Sequence, residues 1–286
     1  MTDTVCRTGA GAARDLPGRA GAHLTSQMGG ERRRRSARLA DVDGIEVVVA
    51  HSERATLRVG EVFLKVDADR ARTDREVQAM TTAPVPTPTI LWRTPPVLAL
   101  AALPGTPIAR LGQPSTASTA AWSAAGAALR LVHDAPPPPW SRASVDEKTA
   151  DLDAECAWLI EHDVLSAELV RRSREVAEAA LRPWHPVFVH GDLQVAHVFV
   201  DDDEVTGILD WSEGGRGDAL YDLAVLTLGH PQHLDDVLRG YGGDVDRDVI
   251  RGWWSLRCLT AIRWLVEHGF DPAAPGCEID VLKAQL

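Results

Sequence analysis

The sequence predicts an α+β protein in two parts, a small β-rich part followed by a larger and mainly helical part. Three short segments near the beginning of the chain have the composition and length of β-strands (45–49, 55–59 and 62–66). Longer segments follow that are alanine-rich, acidic or spaced like an amphipathic helix, and these predict helices (114–134, 145–180, 220–229 and 250–267). The 286 residues are enough for one good core or two smaller lobes.

The charge of the chain is unevenly distributed. Residues 1–38 hold eight arginines against three acids, a net charge of +5, and are rich in Gly and Ala, so we expect a disordered basic tail. The whole chain carries −11, which leaves −16 for the remainder. A body this acidic disfavours nucleic acid as a partner, because phosphate binding needs a basic surface. It would attract polycationic ligands, although acidic surfaces also serve simply to keep proteins in solution.

Cysteine spacing and hydropathy narrow the class of protein further. The four cysteines lie far apart and lack C-x-x-C spacing, so free thiols in a reducing compartment are expected (Cys6, Cys156, Cys258 and Cys277). No apolar stretch approaches the roughly 20 residues of a membrane span, and the N-terminus shows no basic-then-apolar leader. We therefore expect a cytoplasmic protein, monomeric or homodimeric, without a membrane partner.

The β-rich part contains one lysine in an unusual place. Lys65 lies inside the apolar segment 62–66, where an unpaired ammonium group would be costly, and it is one of only three lysines in the chain. A helix is predicted to start at Thr73, which would cap it, with Glu76 three residues further on. Glu76 therefore has two interpretations, as an ion-pair partner of Lys65 or as the glutamate of a capping box.

The strongest functional pattern lies at residues 188–224, FVHGDLQVAHVFVDDDEVTGILDWSEGGRGDALYDLA. Its apolar runs at 198–200 and 205–209 predict two short strands, and the aspartates between them predict a polar turn. Folding of this hairpin would bring His197 close to Asp210 and leave Asp192 on the preceding loop. A lone carboxylate beside two metal-capable groups is what metal-assisted phosphoryl transfer requires.

This segment resembles the core of the aminoglycoside phosphotransferase family, small-molecule kinases with a bilobal protein-kinase-like fold. The family pattern is roughly H-G-D-x-x-x-x-N, a strand, I-D-W/F/Y and then G-D-P-x-x-D-L-A. The matching positions are far more specific together than a lone short motif (His190, Gly191, Asp192, Asp210, Trp211, Gly217, Asp218, Asp222, Leu223 and Ala224). The resemblance implies a nucleotide-binding N-lobe at 39–103 and a catalytic, acceptor-binding C-lobe at 104–286.

The chain departs from the family pattern at three places. The usual Asn is His197, the His-Pro-Gly before it is replaced by the residues from Gln194 to Ala196, and the Pro of G-D-P is Ala219. A histidine at the Asn position also occurs in the related macrolide phosphotransferases, whose I-D-W-T-E is similar to residues 209–213 here. Imidazole can bind a divalent cation, although Mg²⁺ prefers oxygen, so the substitution concerns the second metal contact above all.

The resemblance implies roles on the nucleotide side of the site. Lys65 would neutralise the phosphates of ATP or GTP with Glu76 as its partner, and Ser52 would belong to the phosphate loop. The base would be bound by the backbone of the segment that joins the lobes (Ala99, Leu100 and Ala102). Asp210 would bind Mg²⁺, with His197 as the second ligand.

On the acceptor side, Asp192 would orient and partly deprotonate the hydroxyl that attacks the γ-phosphate. Three residues are expected to support the loops, with Asp222 bonding the amides of the catalytic loop (His190, Asp218 and Asp222). The candidates to contact the acceptor are acidic or aromatic (Asp146, Asp153, Glu161, Glu213, Trp254 and Glu267). Charged side chains on a helix more often form a solvated face, and the tryptophans of 250–267 more often belong to a core.

The implied function is transfer of a γ-phosphate to a hydroxyl of a small cationic antibiotic, an aminoglycoside or a basic peptide of the tuberactinomycin type, which would give resistance. A macrolide is the next candidate, because of His197 and residues 209–213. Metabolic acceptors such as choline, homoserine or a sugar stay open, since specificity lies in variable helices. A nucleotide-binding pseudokinase is the alternative from another class of function.

Overall fold

The computed structural model describes residues 44–50 and 54–286. The predicted basic tail at 1–38, Ser52 and Cys6 lie outside the described residues. The helices and strands of the described part are, in chain order, β1 (Ile45–Ala50), β2 (Arg54–Val59), β3 (Val62–Asp67), α1 (Arg70–Thr82), β4 (Ile90–Thr94), β5 (Val97–Ala101), β6 (Thr106–Pro107), α2 (Thr119–Asp134), α3 (Val145–Glu161), α4 (Ala167–Ala177), β7 (Val187–Val189), β8 (Val198–Asp201), β9 (Glu204–Ile208), β10 (Gly215–Gly217), α5 (Ala219–Thr227), α6 (Leu234–Tyr241), α7 (Arg247–Glu267) and α8 (Glu278–Ala284).

An antiparallel five-stranded sheet forms the β-rich part, in the order β1-β2-β3-β5-β4. The three strands predicted at 45–49, 55–59 and 62–66 are confirmed as β1, β2 and β3. The sequence does not predict β4, because its five residues lie between Pro88 and Pro95 in a proline-rich stretch that is typical of loops. Leu91 and Trp92 are exposed on this edge strand.

The N-cap of helix α1 lies four residues before the predicted cap, Thr73. Its N-cap is Asp69, whose carboxylate accepts hydrogen bonds from the backbone N–H groups of Ala71 and Arg72. The predicted capping box of Thr73 and Glu76 is therefore wrong, because an aspartate caps a helix as well as a threonine does and this one comes first along the chain. Glu76 lies on the buried face of α1 instead.

The remainder of the chain is mainly helical, as the sequence predicts. The segment 145–180 divides into α3 and α4, and α7 packs against α3, α4, α5 and α8 in one continuous core. Helix α2 packs along α6. Among the described residues, no helix combines the length and the apolar character needed to span a bilayer.

Two small antiparallel sheets carry the motif segment. The predicted hairpin is confirmed as β8 and β9, with Val198 opposite Ile208 and β6 on the other side of β8. Its register brings the two ends of the hairpin together, because the backbone N–H of Leu209 donates to the carbonyl of His197 at 3.0 Å. Strand β7, which leads into the catalytic loop, pairs with β10, so the loop and the second half of the motif share one support.

Candidate active site

The predicted catalytic loop follows β7 and makes a tight turn at Gly191. The φ angle of Gly191 is 85°, and a Cβ placed there would lie 2.2 Å from the carbonyl oxygen of Glu213. His190 is fully buried, and its imidazole lies 3.0 Å from the carbonyl oxygen of Leu209 through Nε2. Its Nδ1 accepts the backbone N–H of Asp192 at 3.3 Å. Burial lowers the pKa of His190, which favours the neutral ring that these two bonds require.

Asp222 fixes the backbone of the same loop. Its carboxylate accepts the N–H groups of His190 at 2.6 Å and Gly191 at 2.8 Å, which are the contacts that the sequence predicts for it. Burial acts to raise the pKa of Asp222, but its hydrogen bond and electrostatic interaction with His133 outweigh burial and the pKa is lowered. His133, at the end of α2, lies 3.3 Å from Asp222 and 2.9 Å from the hydroxyl of Tyr241.

Asp218 supports the second half of the motif. It is the N-cap of α5, where its carboxylate accepts the N–H of Leu220 at 3.2 Å. The indole N–H of Trp253 also donates to Asp218, at 2.9 Å, and Arg182 forms an ion pair with it at 3.3 Å. Asp218 therefore joins α5 to α7.

The carboxylate of Asp192 has two side-chain neighbours that the family pattern does not include. The amide of Gln194 donates to its oxygens at 3.1 and 3.0 Å, and Arg257 from α7 lies 3.3 Å from Oδ1. Burial acts to raise the pKa of Asp192, but the nearby charge of Arg257 and the hydrogen bond from Gln194 help to outweigh it, and the pKa is held below its usual range. Asp192 is therefore ionised at neutral pH, as a hydrogen-bond acceptor for a hydroxyl must be.

Asp210 and His197 lie close to each other at the open end of the hairpin, His197 just before β8 and Asp210 just after β9. Asp210 takes the left-handed conformation, with a φ of 65°, and its Oδ2 lies 3.8 Å from Nε2 of His197. The other ring nitrogen, Nδ1, lies 2.8 Å from the carbonyl oxygen of Asp192, so it carries the proton. That tautomer directs a lone pair of Nε2 at the Asp210 carboxylate. Two electron-pair donors that face each other in this way fit a shared cation.

A buried ion triad joins the β-rich part to the motif. Lys65 in β3 lies 2.5 Å from Glu76 in α1 and 2.9 Å from Oδ1 of Asp210. Burial acts to lower the pKa of Lys65, but the Asp210 and Glu76 carboxylates outweigh it and the pKa is raised. For Asp210, burial is in turn outweighed by Lys65 and His197, and the pKa lies well below its usual range.

The protein alone supplies two candidate metal ligands at this site. Within 44–50 and 54–286, no cluster of three or more His, Cys, Asp or Glu side chains is arranged to hold a metal ion. Mg²⁺ typically takes one or two protein ligands and completes its shell with phosphate oxygens and water. The pair of Asp210 and His197 fits a cation that arrives with a nucleotide.

The predicted base-binding backbone needs correction. Ala99 and Leu100 lie within β5, which has β3 on one side and β4 on the other, so their backbone groups face neighbouring strands. The N–H of Ala102 donates to the carbonyl of Glu61 at 2.8 Å. A base would therefore have to bind backbone groups other than these, in the stretch that follows β5.

Of the six predicted acceptor residues, Trp254 is buried and the five acidic ones are exposed. Trp254 is buried and its indole N–H donates to the carbonyl of Ala224 at 2.8 Å, so it belongs to the core and does not line a pocket. The acidic candidates are exposed, and several of them pair with arginines on neighbouring turns or helices (Asp153 with Arg174, Glu267 with Arg263 and Glu213 with Arg142, whereas Asp146 and Glu161 lie exposed on α3).

Sequence reasoning missed Gln194 and Arg257, the two residues that do contact Asp192. Gln194 was visible as a departure from the family pattern. Arg257 gave a weaker signal, an arginine placed between the apolar residues Leu256 and Cys258 of an otherwise buried helix. Its distance of 65 positions from Asp192 hides the contact from any local pattern.

The chain is similar to a known protein family and to several solved structures. A family model described as the phosphotransferase enzyme family matches residues 30–253, and the chain belongs to that family. The structure of aminoglycoside phosphotransferase APH(3'')-Id from Streptomyces rimosus is 27% identical, with a TM-score of 0.56 over 76% of this chain and 93% of that one. A comparison with curated proteins finds no match.

Two further solved structures share the fold at lower identity. A macrolide 2'-phosphotransferase from Brachybacterium faecium is 21% identical, with a TM-score of 0.58 over 86% of this chain and 93% of that one. A choline/ethanolamine kinase family protein from Mesorhizobium loti is 19% identical, with a TM-score of 0.58 over 86% and 87%. The α+β, kinase-like fold predicted from the sequence is confirmed, and the fold is common to enzymes with different acceptors.

Proposed function

We propose that this protein transfers the γ-phosphate of a nucleoside triphosphate to a hydroxyl group of a small molecule. The observation that carries the proposal is the convergence of Asp192 with Asp210, His197 and Lys65 on loops that buried hydrogen bonds hold in place. These are the groups that phosphoryl transfer uses to orient a nucleophile and to neutralise phosphate charge. A cytoplasmic location is part of the proposal, since the donor is found there.

On the donor side, Lys65 would bind phosphate oxygens, and Asp210 with His197 would hold Mg²⁺. When bound, the ion would neutralise charge on the phosphates of the donor. Glu76 would keep the Lys65 ammonium in place, since their atoms lie 2.5 Å apart. ATP and GTP are both compatible with these contacts, which involve phosphates and not the base.

On the acceptor side, Asp192 would accept a hydrogen bond from the attacking hydroxyl. The hydroxyl oxygen would form the new bond to the γ-phosphorus as the bond from phosphorus to the bridging oxygen breaks, and the nucleoside diphosphate would leave. The hydroxyl proton would pass to Asp192. An ionised carboxylate suits this role, because it attracts the proton as the hydroxyl oxygen loses electron density to phosphorus.

We further propose a cationic antibiotic as the acceptor. Two observations support it: the charge of −16 outside residues 1–38, and the likeness to APH(3'')-Id, which has been crystallised with ADP and streptomycin at 27% identity to this chain. A basic peptide antibiotic would suit the same charge. The product would be a phosphorylated drug, and the cell would be resistant to it.

A metabolic acceptor is the second candidate. It is favoured by a cation beside the catalytic loop, since Nη1 of Arg142 would lie 1.8 Å from a Cβ placed on Gly191. Lys148 lies near Arg142, over the same ring of Tyr221. Acceptors that carry a carboxylate would be attracted to this part of the site, whereas a polycationic drug would be repelled from it.

A resistance profile tests the proposal. Wild type and Asp192→Asn would be expressed in a sensitive bacterium, and aminoglycosides, tuberactinomycins and macrolides would be compared. Protection against one class that disappears in the variant is the expected result. If purified protein transfers labelled phosphate to metabolic alcohols only, the antibiotic proposal is wrong and phosphotransfer stands. Binding of Mg²⁺–nucleotide without transfer to any acceptor would instead indicate a pseudokinase.

A further inference from the structure

We propose that Gln194 and Arg257 form a clamp on Asp192, as positioning residues that hold its carboxylate in one orientation for the acceptor hydroxyl. The proposal rests on the proposed function. Gln194 replaces the His of the family pattern, and Arg257 lies beyond residue 253, where the family match ends.

Within the clamp, Oδ1 of Asp192 accepts hydrogen bonds from two side chains and Oδ2 from one. The amide nitrogen of Gln194 lies 3.1 Å from Oδ1 and 3.0 Å from Oδ2, so it sits in the fork of the carboxylate. Arg257 adds a second donor to Oδ1 alone, at 3.3 Å. Donors on these two directions resist rotation about the bond that joins Cβ to the carboxyl carbon. Oδ2 keeps the larger free acceptor capacity, and we assign to it the hydrogen bond from the acceptor hydroxyl.

The two donors come from independent parts of the fold. Gln194 lies in the catalytic loop, only two residues after Asp192, and moves with it. Arg257 projects from α7, whose neighbouring residues Leu256 and Cys258 are buried in the core. The backbone of the loop is fixed by Asp222 from α5. Asp192 is thus held at its backbone by one helix and at its carboxylate by another.

Arg257 also compensates the negative charge of Asp192. Asp192 is about three-quarters buried, with 24% of its side chain exposed, and an unpaired carboxylate in such a place is costly. The guanidinium group is itself 23% exposed and lies within ion-pair distance. A planar, always charged group fixes the direction of a carboxylate better than an ammonium group does.

The test compares Arg257→Gln, Arg257→Lys and Gln194→Leu with wild type. The matched control is Arg251→Gln, which removes an exposed arginine from the same helix whose partner is the exposed Asp248. The substrate is the compound that wild type phosphorylates in the resistance and transfer tests proposed above. With it, we expect Arg257→Gln and Gln194→Leu to lower kcat roughly 10- to 100-fold, the cost of a misplaced reacting group. KM for the nucleotide should stay unchanged, Arg257→Lys should recover part of kcat, and the control should match wild type.

A kcat of Arg257→Gln and Gln194→Leu equal to that of wild type, in variants with a native circular dichroism spectrum, overturns the clamp. Crystal structures provide a readout that needs no activity. We expect one carboxylate orientation for Asp192 in wild type and in the control, and two or more in Arg257→Gln or Gln194→Leu. A single unchanged orientation in both variants would also overturn the clamp. Absence of transfer by wild type would contradict the proposed function alone, and the crystals would still decide on the clamp.

Discussion

The charged residues of this site are buried, and each is stabilised by a neighbour of opposite charge. Lys65 is the central one, because its ammonium group separates the carboxylates of Glu76 and Asp210. Glu76 is 4% exposed, and burial raises its pKa, which shows how little water is there to replace a lost partner. Removing the lysine would leave two carboxylates to repel each other in a poorly solvated place.

Replacing Lys65 should therefore affect stability as well as nucleotide binding. We expect Lys65→Met to lower the free energy of unfolding by about 3–5 kcal/mol, the usual consequence of breaking a buried pair. The double variant Lys65→Met/Glu76→Gln should recover much of that stability without recovering nucleotide binding. Urea unfolding and calorimetric titration with nucleotide measure the two effects. Lys283→Met, at an exposed position, is the control, and an equal loss of stability there would contradict the explanation.

Asp222 should make stability depend on pH. Its pKa is lowered in the folded protein, so its contribution is fully present above the unfolded pKa of about 3.9 and is lost as the pH falls below it. We expect Asp222→Asn to cost about 1.5–3 kcal/mol at pH 7, as for hydrogen bonds to a charged group. The difference from wild type should shrink at pH 3.

Urea unfolding at the two pH values checks this prediction, with Asp202→Asn in the exposed β8–β9 turn as the control. A difference between wild type and Asp222→Asn that is the same at pH 7 and pH 3 would show that the charge of Asp222 is not the source of its contribution.

At the level of helices and strands, close packing of α2 on α6 supports the catalytic loop from a distance. A Cβ placed on Gly126 of α2 would lie 2.0 Å from the carbonyl oxygen of Val237, and one on Gly240 of α6 would lie 1.7 Å from that of Ser123. The helices approach as closely as they do because both positions lack side chains. This approach places His133 at the end of α2 beside Tyr241 at the end of α6, within reach of Asp222.

Gly126→Ala should push these helices apart. Overpacking of a tight contact typically costs about 1–3 kcal/mol, and we expect kcat to fall as well, since His133 would move away from Asp222. Thermal unfolding and kcat are the measurements. Ala127→Ser, one position along α2 and exposed, should change neither. A stable Gly126→Ala protein with unchanged kcat would show that α2 and α6 can separate without disturbing the loop.

For the whole molecule, the triad of Lys65, Glu76 and Asp210 connects two regions that are 145 positions apart in the chain. A nucleotide bound there would contact both regions and stabilise the folded state. At a ligand concentration of 100 times Kd the gain is about 2.7 kcal/mol. We expect the melting temperature to rise with Mg²⁺ and nucleotide together and less with nucleotide alone.

Asp210→Asn provides the matching variant, because asparagine tolerates the left-handed backbone of this position, with its φ of 65°. We expect it to lose the part of the thermal shift that depends on Mg²⁺. Thermal melts with ATP and with GTP would also identify the preferred donor. An undiminished Mg²⁺-dependent shift in Asp210→Asn would mean that the ion binds elsewhere.

Much of the fold and of the site was predictable because it depends on neighbours in the chain. Short segments rich in β-forming residues identify β1, β2 and β3, and the motif places Asp192, His197 and Asp210 around one short hairpin. The loop contacts of Asp222 follow from the same pattern, whose spacing the family shares. The predicted start of α1 was wrong because two acceptable capping residues, Asp69 and Thr73, lie within five positions, and the local pattern alone does not choose between them.

What the chain order could not indicate is which face of each helix meets which neighbour. Asp153 lies toward α4, where it binds Arg174, and Trp254 lies in the core, whereas composition alone made both candidates for the acceptor. Arg257 contacts Asp192 although 65 positions separate them, because this face of α7 packs toward the catalytic loop. The motif residues themselves dictate the reactive groups, since short-range geometry positions them. The surroundings of those groups depend on how helices pack, and packing balances many weak contacts between residues far apart in the chain.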